Sequence, residues 1–192
     1  MVIATVDGDI ADPATAQRVI DTAVERFGRV DSLVNNAGVF IAKPFVDYTD
    51  EDYALVTSVN LSGFFHITRL AVAHMLEQGD GHIVNMTSSL VDNANSAVHS
   101  VLASLTKGGL QSATKSLAIE YATAGIRVNA VSPGTIKTPM HAEQSHDALA
   151  HLQPMHRNGE ISDIVDAVLF LENAPFVTGE ILHVDGGVSA GH

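Results

Sequence analysis

Three hydroxyls, Thr87, Ser88 and Ser89, follow directly on the run His82 to Met86, which reads as a buried strand. Open α/β sheets bring their ligands to the carboxyl ends of strands, where such hydroxyls can orient a substrate oxygen; serines after a strand are also ordinary loop residues. Lys107, in Thr106-Lys107-Gly108-Gly109, is a lone cation among Ala103, Leu105 and Leu110, and its flanking glycines suit a close approach of backbone. A solvated lysine is the ordinary alternative. Asn60, within Val59-Asn60-Leu61-Ser62-Gly63-Phe64, is an amide on an otherwise apolar helical face. Once buried it must be bonded, either as a structural tie or as a kink that holds a water.

Further polar groups stand at other strand ends. Leu33-Val34-Asn35-Asn36-Ala37-Gly38 sets two amides and two small residues after a buried run, which suits a flat ligand against the backbone or simply a turn. Asp9 follows the first apolar run, where its carboxylate accepts either from a ligand amino group or from the amides of the next turn. Pro133-Gly134-Thr135-Ile136-Lys137-Thr138 offers amides and a threonine hydroxyl to a carboxamide or phosphate, or makes a rigid turn. His141, His146, His151 and His156 recur every five residues. Five residues advance a helix by about 500°, so successive rings fall about 140° apart and share no face. With no His-Glu-x-x-His pattern, no metal site is expected.

The elements that must position these groups alternate short β-branched runs with longer amphipathic stretches, as in βαβ units on a parallel sheet. Val2 to Val6 reads as a strand. Pro13 to Phe27 reads as a helix, with Asp12 as N-cap, Pro13 in the first turn and Gly28 past the end. Ser32 to Asn35 is a short strand, and Asp50 to Leu76 one long helix or two abutting ones. The pattern then predicts a strand at His82 to Met86, a helix at Ala97 to Tyr121 and a strand at Ile126 to Val131. A helix at Ser162 to Leu171 and a strand at Ile181 to Val184 follow. Residues 137 to 159 are the least patterned.

The 192 residues, 46% hydrophobic and 17% charged, fit one α/β domain over 1–192. A net charge of −12 with only 10 Lys and Arg disfavours nucleic acid and anionic membrane. The absence of cysteine excludes disulfides and thiolate chemistry. No apolar run has membrane-spanning length and the opening residues lack the basic start of a signal peptide, so the cytoplasm is the expected location.

Taken in order, five segments resemble the short-chain dehydrogenase/reductase family, in particular its 3-oxoacyl-carrier-protein-reductase-like branch. They are Asn35-Asn36-Ala37-Gly38, Val59 to Phe65, Gly81 to Ser89, Gly125 to Gly134 and Val177 to Gly187. The resemblance implies a three-layer, doubly wound, Rossmann-like parallel sheet and hydride transfer between NAD or NADP and a carbon bearing oxygen. It makes Ser88 the serine that orients the substrate oxygen, with Ser89 as rival. Lys107 becomes the lysine that binds the nicotinamide ribose, and Asn60 the asparagine of a water relay. Asp9 matches the adenine-side aspartate, Asn36 and Gly38 the adenosine-facing loop, and Pro133, Gly134, Ile136 and Thr138 the nicotinamide-side turn. It also implies self-association through helices 50–76 and 97–121, around a small-molecule substrate that the sequence does not specify.

Two features depart from that pattern. Four residues before Lys107, where the family has its proton-transferring tyrosine, stands Ala103; His99, one turn earlier if the helix begins early, is the candidate substitute. No glycines have the spacing of the dinucleotide phosphate loop, so the sheet is expected to be incomplete, lacking the family's first two strands and that loop. Strands three to seven would then remain, and Val2 to Val6 would need to pair with Ser32 to Asn35 or stand unpaired. The combined expectation is a family homologue with weak or no dehydrogenase activity as it stands. The alternatives are a non-catalytic binding or assembly protein and an active reductase with a rebuilt proton donor.

Overall fold

A computed structural model describes residues 2–140 and 149–191. Helix α1 (Pro13–Phe27) starts where the Asp12 carboxylate accepts from Ala14 N and ends where Gly28 turns left-handed at φ 83°. Its buried Ala16 and Ile20 face the sheet. Strand β1 (Ser32–Asn35) follows. Helix α2 (Asp50–Thr57) opens with a capping box in which the Thr49 and Asp52 side chains satisfy each other's backbone amides. A π-helical stretch, Ser58–Gly63, joins it to α3 (Phe64–Gln78), so of the two readings, one long helix or two abutting ones, the second is formed, with the join around Asn60. Then come β2 (Gly81–Met86), α4 (Val101–Tyr121), β3 (Ile126–Pro133), α5 (Ile161–Glu172) and β4 (Ile181–Val184).

The four strands are parallel in the order β1-β2-β3-β4. Residues alternate between its faces as the pleat requires. Ile83, Ile126 and Val128 pack with α1, α3 and α4 on one side, while Val84, Met86 and Val131 pack with Ala167 and Leu171 of α5 on the other. The expected three-layer α/β architecture is present. Register sets Asn35 beside Asn85, and Met86 beside Val131, so the carboxyl ends of β1, β2 and β3 converge.

Two expectations are corrected. Val2 to Val6 joins no ladder, and Val2 and Ile3 lie exposed. Apolar alternation gives a segment the face of a strand, but a strand forms only where another backbone meets its amides and carbonyls. Among the described residues β1 pairs only with β2, and the sheet they form has four strands rather than five. The helix expected from Ala97 begins at Val101. Before it, the Asn95 carboxamide accepts from Ala97 N at 2.8 Å and Val98 N donates to Asn95 O at 3.0 Å, which turns the chain. His99 therefore lies outside α4 and exposed, so the helical spacing that would have brought it to Ala103 is not formed.

Candidate active site

The π-helical stretch has a clear local use. An extra residue in the turn bulges the helix and aims Asn60 inward, where it is 2% exposed. Its Oδ1 accepts from Val39 N at 2.9 Å, and its Nδ2 donates to Val39 O and to Thr106 Oγ1, both at 3.1 Å. One amide thus ties the loop after β1 to α4, at the residue next to Lys107. Thr106 and Val39 were not singled out from the sequence. A buried threonine before a lysine carries no signal of its own until the π-bulge brings Asn60 to it.

Lys107 reaches from α4 to the end of β2, where Nζ donates to Met86 O at 2.7 Å. Among the described residues this is its only hydrogen bond, and no carboxylate pairs with it. Burial without a counter-charge lowers its pKa from the ordinary 10.5 to about 8. Gly38 approaches the same point: a β-carbon there would sit 3.2 Å from Lys107 Nζ and 3.4 Å from Asn60 Oδ1. The absence of a side chain therefore lets the backbone at Gly38 pack close against both polar groups. Ala103, one turn before Lys107 on α4, is 5% exposed and ends in a methyl that neither donates nor accepts a proton.

Ser88 stands two residues beyond the carbonyl that holds Lys107. Its backbone is extended, and its Oγ accepts from Leu90 N at 3.3 Å. Its own proton is not donated to any described residue. Ser89, by contrast, is buried. The loop onward is anchored by groups that the sequence reading missed. Asp92 Oδ2 accepts from Gln111 Nε2 at 2.9 Å and lies 3.1 Å from His183 Nε2. Asn93 Nδ2 donates to Val188 O at 2.7 Å, and Ser104 Oγ to Leu90 O at 3.1 Å.

The segment Pro133 to Thr138 leaves the end of β3 and is held from the other side. Gly134 N donates to Val184 O at 3.0 Å. A β-carbon at Gly134 would lie 2.8 Å from Asp185 Cα, so only glycine fits between the two backbones. Buried Gln153 braces the turn: with its nitrogen toward Asp185 O at 2.6 Å, its oxygen receives Thr135 N at 2.6 Å and Thr135 Oγ1 at 2.8 Å. Ile136 is 9% exposed and bridges to Gly159, while Thr138 is partly buried.

The adenine-side candidates are less gathered. Asp9 Oδ1 accepts from Ala11 N at 2.9 Å, as the turn-capping alternative has it. Asn36 is exposed beyond β1. The cleft between them, lined by Ile10, Asn35, Asn36, Asn60 and Leu110, has a volume of about 70 Å³, which is space for about two waters. Of the spaced histidines, His151 and His156 meet edge to face with centroids 6.3 Å apart, while His141 and His146 lie outside the described residues. Among the described residues no group of three or more His, Cys, Asp or Glu could hold a metal, and no helix is long and apolar enough to cross a membrane.

Asn60, Lys107 and Gly38 thus converge at the carboxyl end of the sheet, with Ser88 following β2 and the braced Pro133 turn following β3. Comparison with known proteins puts this arrangement in context. The family model described as enoyl-(acyl carrier protein) reductase matches residues 2–189. The chain is 35% identical over 185 residues to the 3-oxoacyl-(acyl-carrier-protein) reductase FabG of Thermotoga maritima, covering 94% of this chain and 74% of that protein. It is 36% identical over 197 residues to a glucose 1-dehydrogenase of Gluconobacter oxydans, covering 95% and 71%. Among solved structures, ElxO with NADP bound superposes with a TM-score of 0.89 at 30% identity, over 96% of this chain and 77% of that one. A gluconate 5-dehydrogenase from Burkholderia cenocepacia, in complex with NADP and tartrate, gives 0.87 at 30% identity over 96% and 74%. The chain belongs to the short-chain dehydrogenase/reductase family of oxidoreductases, as a homologue of the 3-oxoacyl-(acyl-carrier-protein) reductases.

Proposed function

We propose that this chain is an NAD(P)-type dehydrogenase scaffold that keeps the nicotinamide-ribose half of its site but, as it stands, turns over alcohols or ketones weakly or not at all. The observation that carries this reading is Ala103 one turn before Lys107, beside an otherwise intact cluster. ElxO and the gluconate 5-dehydrogenase, solved with NADP, support the choice of cofactor. The residues present fit its ribose end: beyond its bond to Met86 O, Lys107 has ammonium protons to spare at the carboxyl end of β2. Pro133, Gly134, Ile136 and Thr138 offer backbone and a hydroxyl to the nicotinamide. When bound, the dinucleotide supplies or accepts the hydride.

The chain's own residues divide the remaining work. Ser88 orients the substrate oxygen through its unused proton. Asn60 fixes the loop after β1 against α4 and faces the small cleft where a water can sit. The proton that the oxygen needs has no donor at Ala103, and exposed His99 lies outside the helix that would have presented it. Acid-base catalysis contributes about 10² to 10⁴ in rate, so a deficit of that size is expected. Asp9 and Asn36 belong to this proposal as adenosine-side contacts.

The test is ketone-dependent oxidation of NADPH and NADH across a panel of small ketones and aldehydes. Turnover below about 0.01 s⁻¹ is expected, against about 1 to 10³ s⁻¹ for ordinary enzymes. Turnover in that ordinary range would overturn the proposal and favour a rebuilt proton donor.

A second reading, a binding or assembly protein, has its own support. Tyr53, Leu55, Phe65, Leu76, Leu105 and Ile119, all on α2, α3 and α4, are exposed. Large apolar side chains exposed on neighbouring helices suit self-association through helices 50–76 and 97–121. Light scattering should return a dimer or tetramer, and a monomer would remove that support.

A further inference from the structure

We propose that His82 is a proton-operated catch: uncharged, it holds the connection from α5 to β4 through Asn129, and on taking up a second ring proton it lets go of residues 177–180. The catch lies toward the amino end of the sheet, away from the candidate active site, and does not rest on the dehydrogenase reading.

The hydrogen bonds fix the protonation state that the ring must have. Asn129 is fully buried, and two backbone groups orient its amide: Oδ1 accepts from Glu180 N and Nδ2 donates to Val177 O, both at 3.0 Å. Turning the amide over would set its oxygen against the Val177 carbonyl and its nitrogen against the Glu180 amide. The second hydrogen of Nδ2 is therefore left for His82 Nε2, 3.1 Å away, and that nitrogen must be bare to receive it. Across the ring, Nδ1 lies 2.6 Å from the Glu172 carboxylate, so Nδ1 carries the hydrogen. The other oxygen of Glu172 accepts from Ser32 Oγ at 2.6 Å, which holds the carboxylate in place. One donor and one acceptor are thus both used, in a residue 2% exposed.

A second proton has no partner. On Nε2 it meets the amide hydrogens of Asn129, which can turn its oxygen to the ring only by giving up both Val177 O and Glu180 N. Burial, the largest influence, holds the ring's pKa below 6.5; the Glu172 carboxylate on α5 opposes this, and the Arg127 guanidinium on β3 adds to it. Arg127 belongs to the same fastening, since it donates to Leu171 O at 2.8 Å, to Glu172 O at 3.0 Å and to Ala174 O at 3.2 Å. An imidazolium therefore bears on both side chains that tie this connection to β3. Gly179 N to Val128 O at 2.7 Å and Ala130 N to Glu180 O at 2.8 Å flank the Asn129 bonds, so these amides report a release. The strand that starts at the catch ends at Val184, whose carbonyl holds Gly134 N of the Pro133 turn.

The test is NMR of the intact, 15N-labelled protein from pH 8 to pH 4. At pH 8 long-range imidazole spectra should show His82 protonated at Nδ1 alone. As pH falls, exchange protection at the Gly179, Glu180 and Ala130 amides, corrected for intrinsic rates, should drop about tenfold or more with the His82 midpoint, as loss of the two Asn129 bonds implies. Val84 and Asn85, in the middle of the sheet, should keep their protection at that point. Glu172→Gln, at a partly exposed side chain, should move the His82 midpoint down by about 1 pH unit or more and carry the loss of protection with it. Asn129→Asp gives the Nε2 hydrogen an acceptor, so His82 should charge at higher pH without the loss at Glu180. An Nε2 hydrogen at pH 8 overturns the proposal. So does protection at residues 177–180 that falls only together with Val84 and Asn85, or that keeps its wild-type midpoint in Glu172→Gln. Should Asn129→Asp not fold, the wild-type tautomer and Glu172→Gln decide it.

Discussion

Replacing Lys107 by Met should make the protein more stable at neutral pH, although it removes the only cation of the site cluster. Burial without a counter-charge lowers the ammonium pKa from 10.5 to about 8, a gap equivalent to about 3 kcal/mol against the charged form. The substitution removes that cost and keeps an unbranched chain of similar length. It also strips Met86 O of its donor, which costs about 1 to 2 kcal/mol. The net expectation is a gain of about 1 to 2 kcal/mol at pH 7.

The pH dependence fixes the sign independently. Between about pH 8 and 10.5 the unfolded lysine holds a proton that the folded one has lost, so wild-type stability rises with pH across that window. Lys107→Met lacks this rise. Urea unfolding of both proteins at pH 7 and at pH 10, at equal protein concentration, reads the difference, in which titrations common to both proteins cancel. The two should converge or cross by pH 10. A Lys107→Met protein less stable than wild type at pH 7, with parallel pH curves, would refute the uncompensated-ammonium account.

Other expectations concern separate parts of the fold. Asn60→Leu strands Val39 N and O and frees Thr106, and should cost about 2 to 4 kcal/mol, measured by urea unfolding. Gly134→Ala forces a β-carbon to within 2.8 Å of Asp185 Cα and should lower stability by about 1 to 3 kcal/mol, read as a fall in Tm. His82, 2% exposed, has its pKa lowered from 6.5 by burial, opposed by its bond to Glu172 at 2.6 Å. Its contribution is therefore present above pH 6.5 and lost as pH falls through the folded value; His82→Gln should flatten the Tm profile below about pH 6.5. Ala103→Tyr places a phenol where a buried methyl stands; at saturating NADPH it should raise ketone-dependent turnover by up to about 10² to 10⁴, while costing about 1 to 3 kcal/mol of stability.

Much of the frame was legible because its signals are local. Asp12, Pro13 and Gly28 mark the two ends of α1 through capping and φ alone, and the pattern at Ile181 to Val184 gave β4 to the residue. Val2 to Val6 misled because pairing is not local: alternation names a face but not a partner. The early start given to α4 overlooked Asn95, whose side chain captures the amide that a helix would have used.

The site was legible in part for the same reason. Asn60, Ser88 and Lys107 stand out by type, and two of them meet through Thr106 once the π-bulge is formed. Asn60 was open to reading as a kink, but its partners Val39 and Thr106 lie in elements distant in sequence, so the bulge's bonds were not legible. Gln153 and Asp92 were missed since each acts across elements distant in sequence, Gln153 on Thr135 and Asp185, and Asp92 on Gln111 and His183.

Fluorescence titration of NADPH against wild type and Lys107→Met tests the half-site most directly. Wild type should bind with a dissociation constant of about 0.1 to 1 mM, equivalent to about 4 to 5.5 kcal/mol, and Lys107→Met about tenfold more weakly. No binding by wild type at millimolar NADPH, or equal binding by both proteins, would contradict the assignment of the ribose end to Lys107.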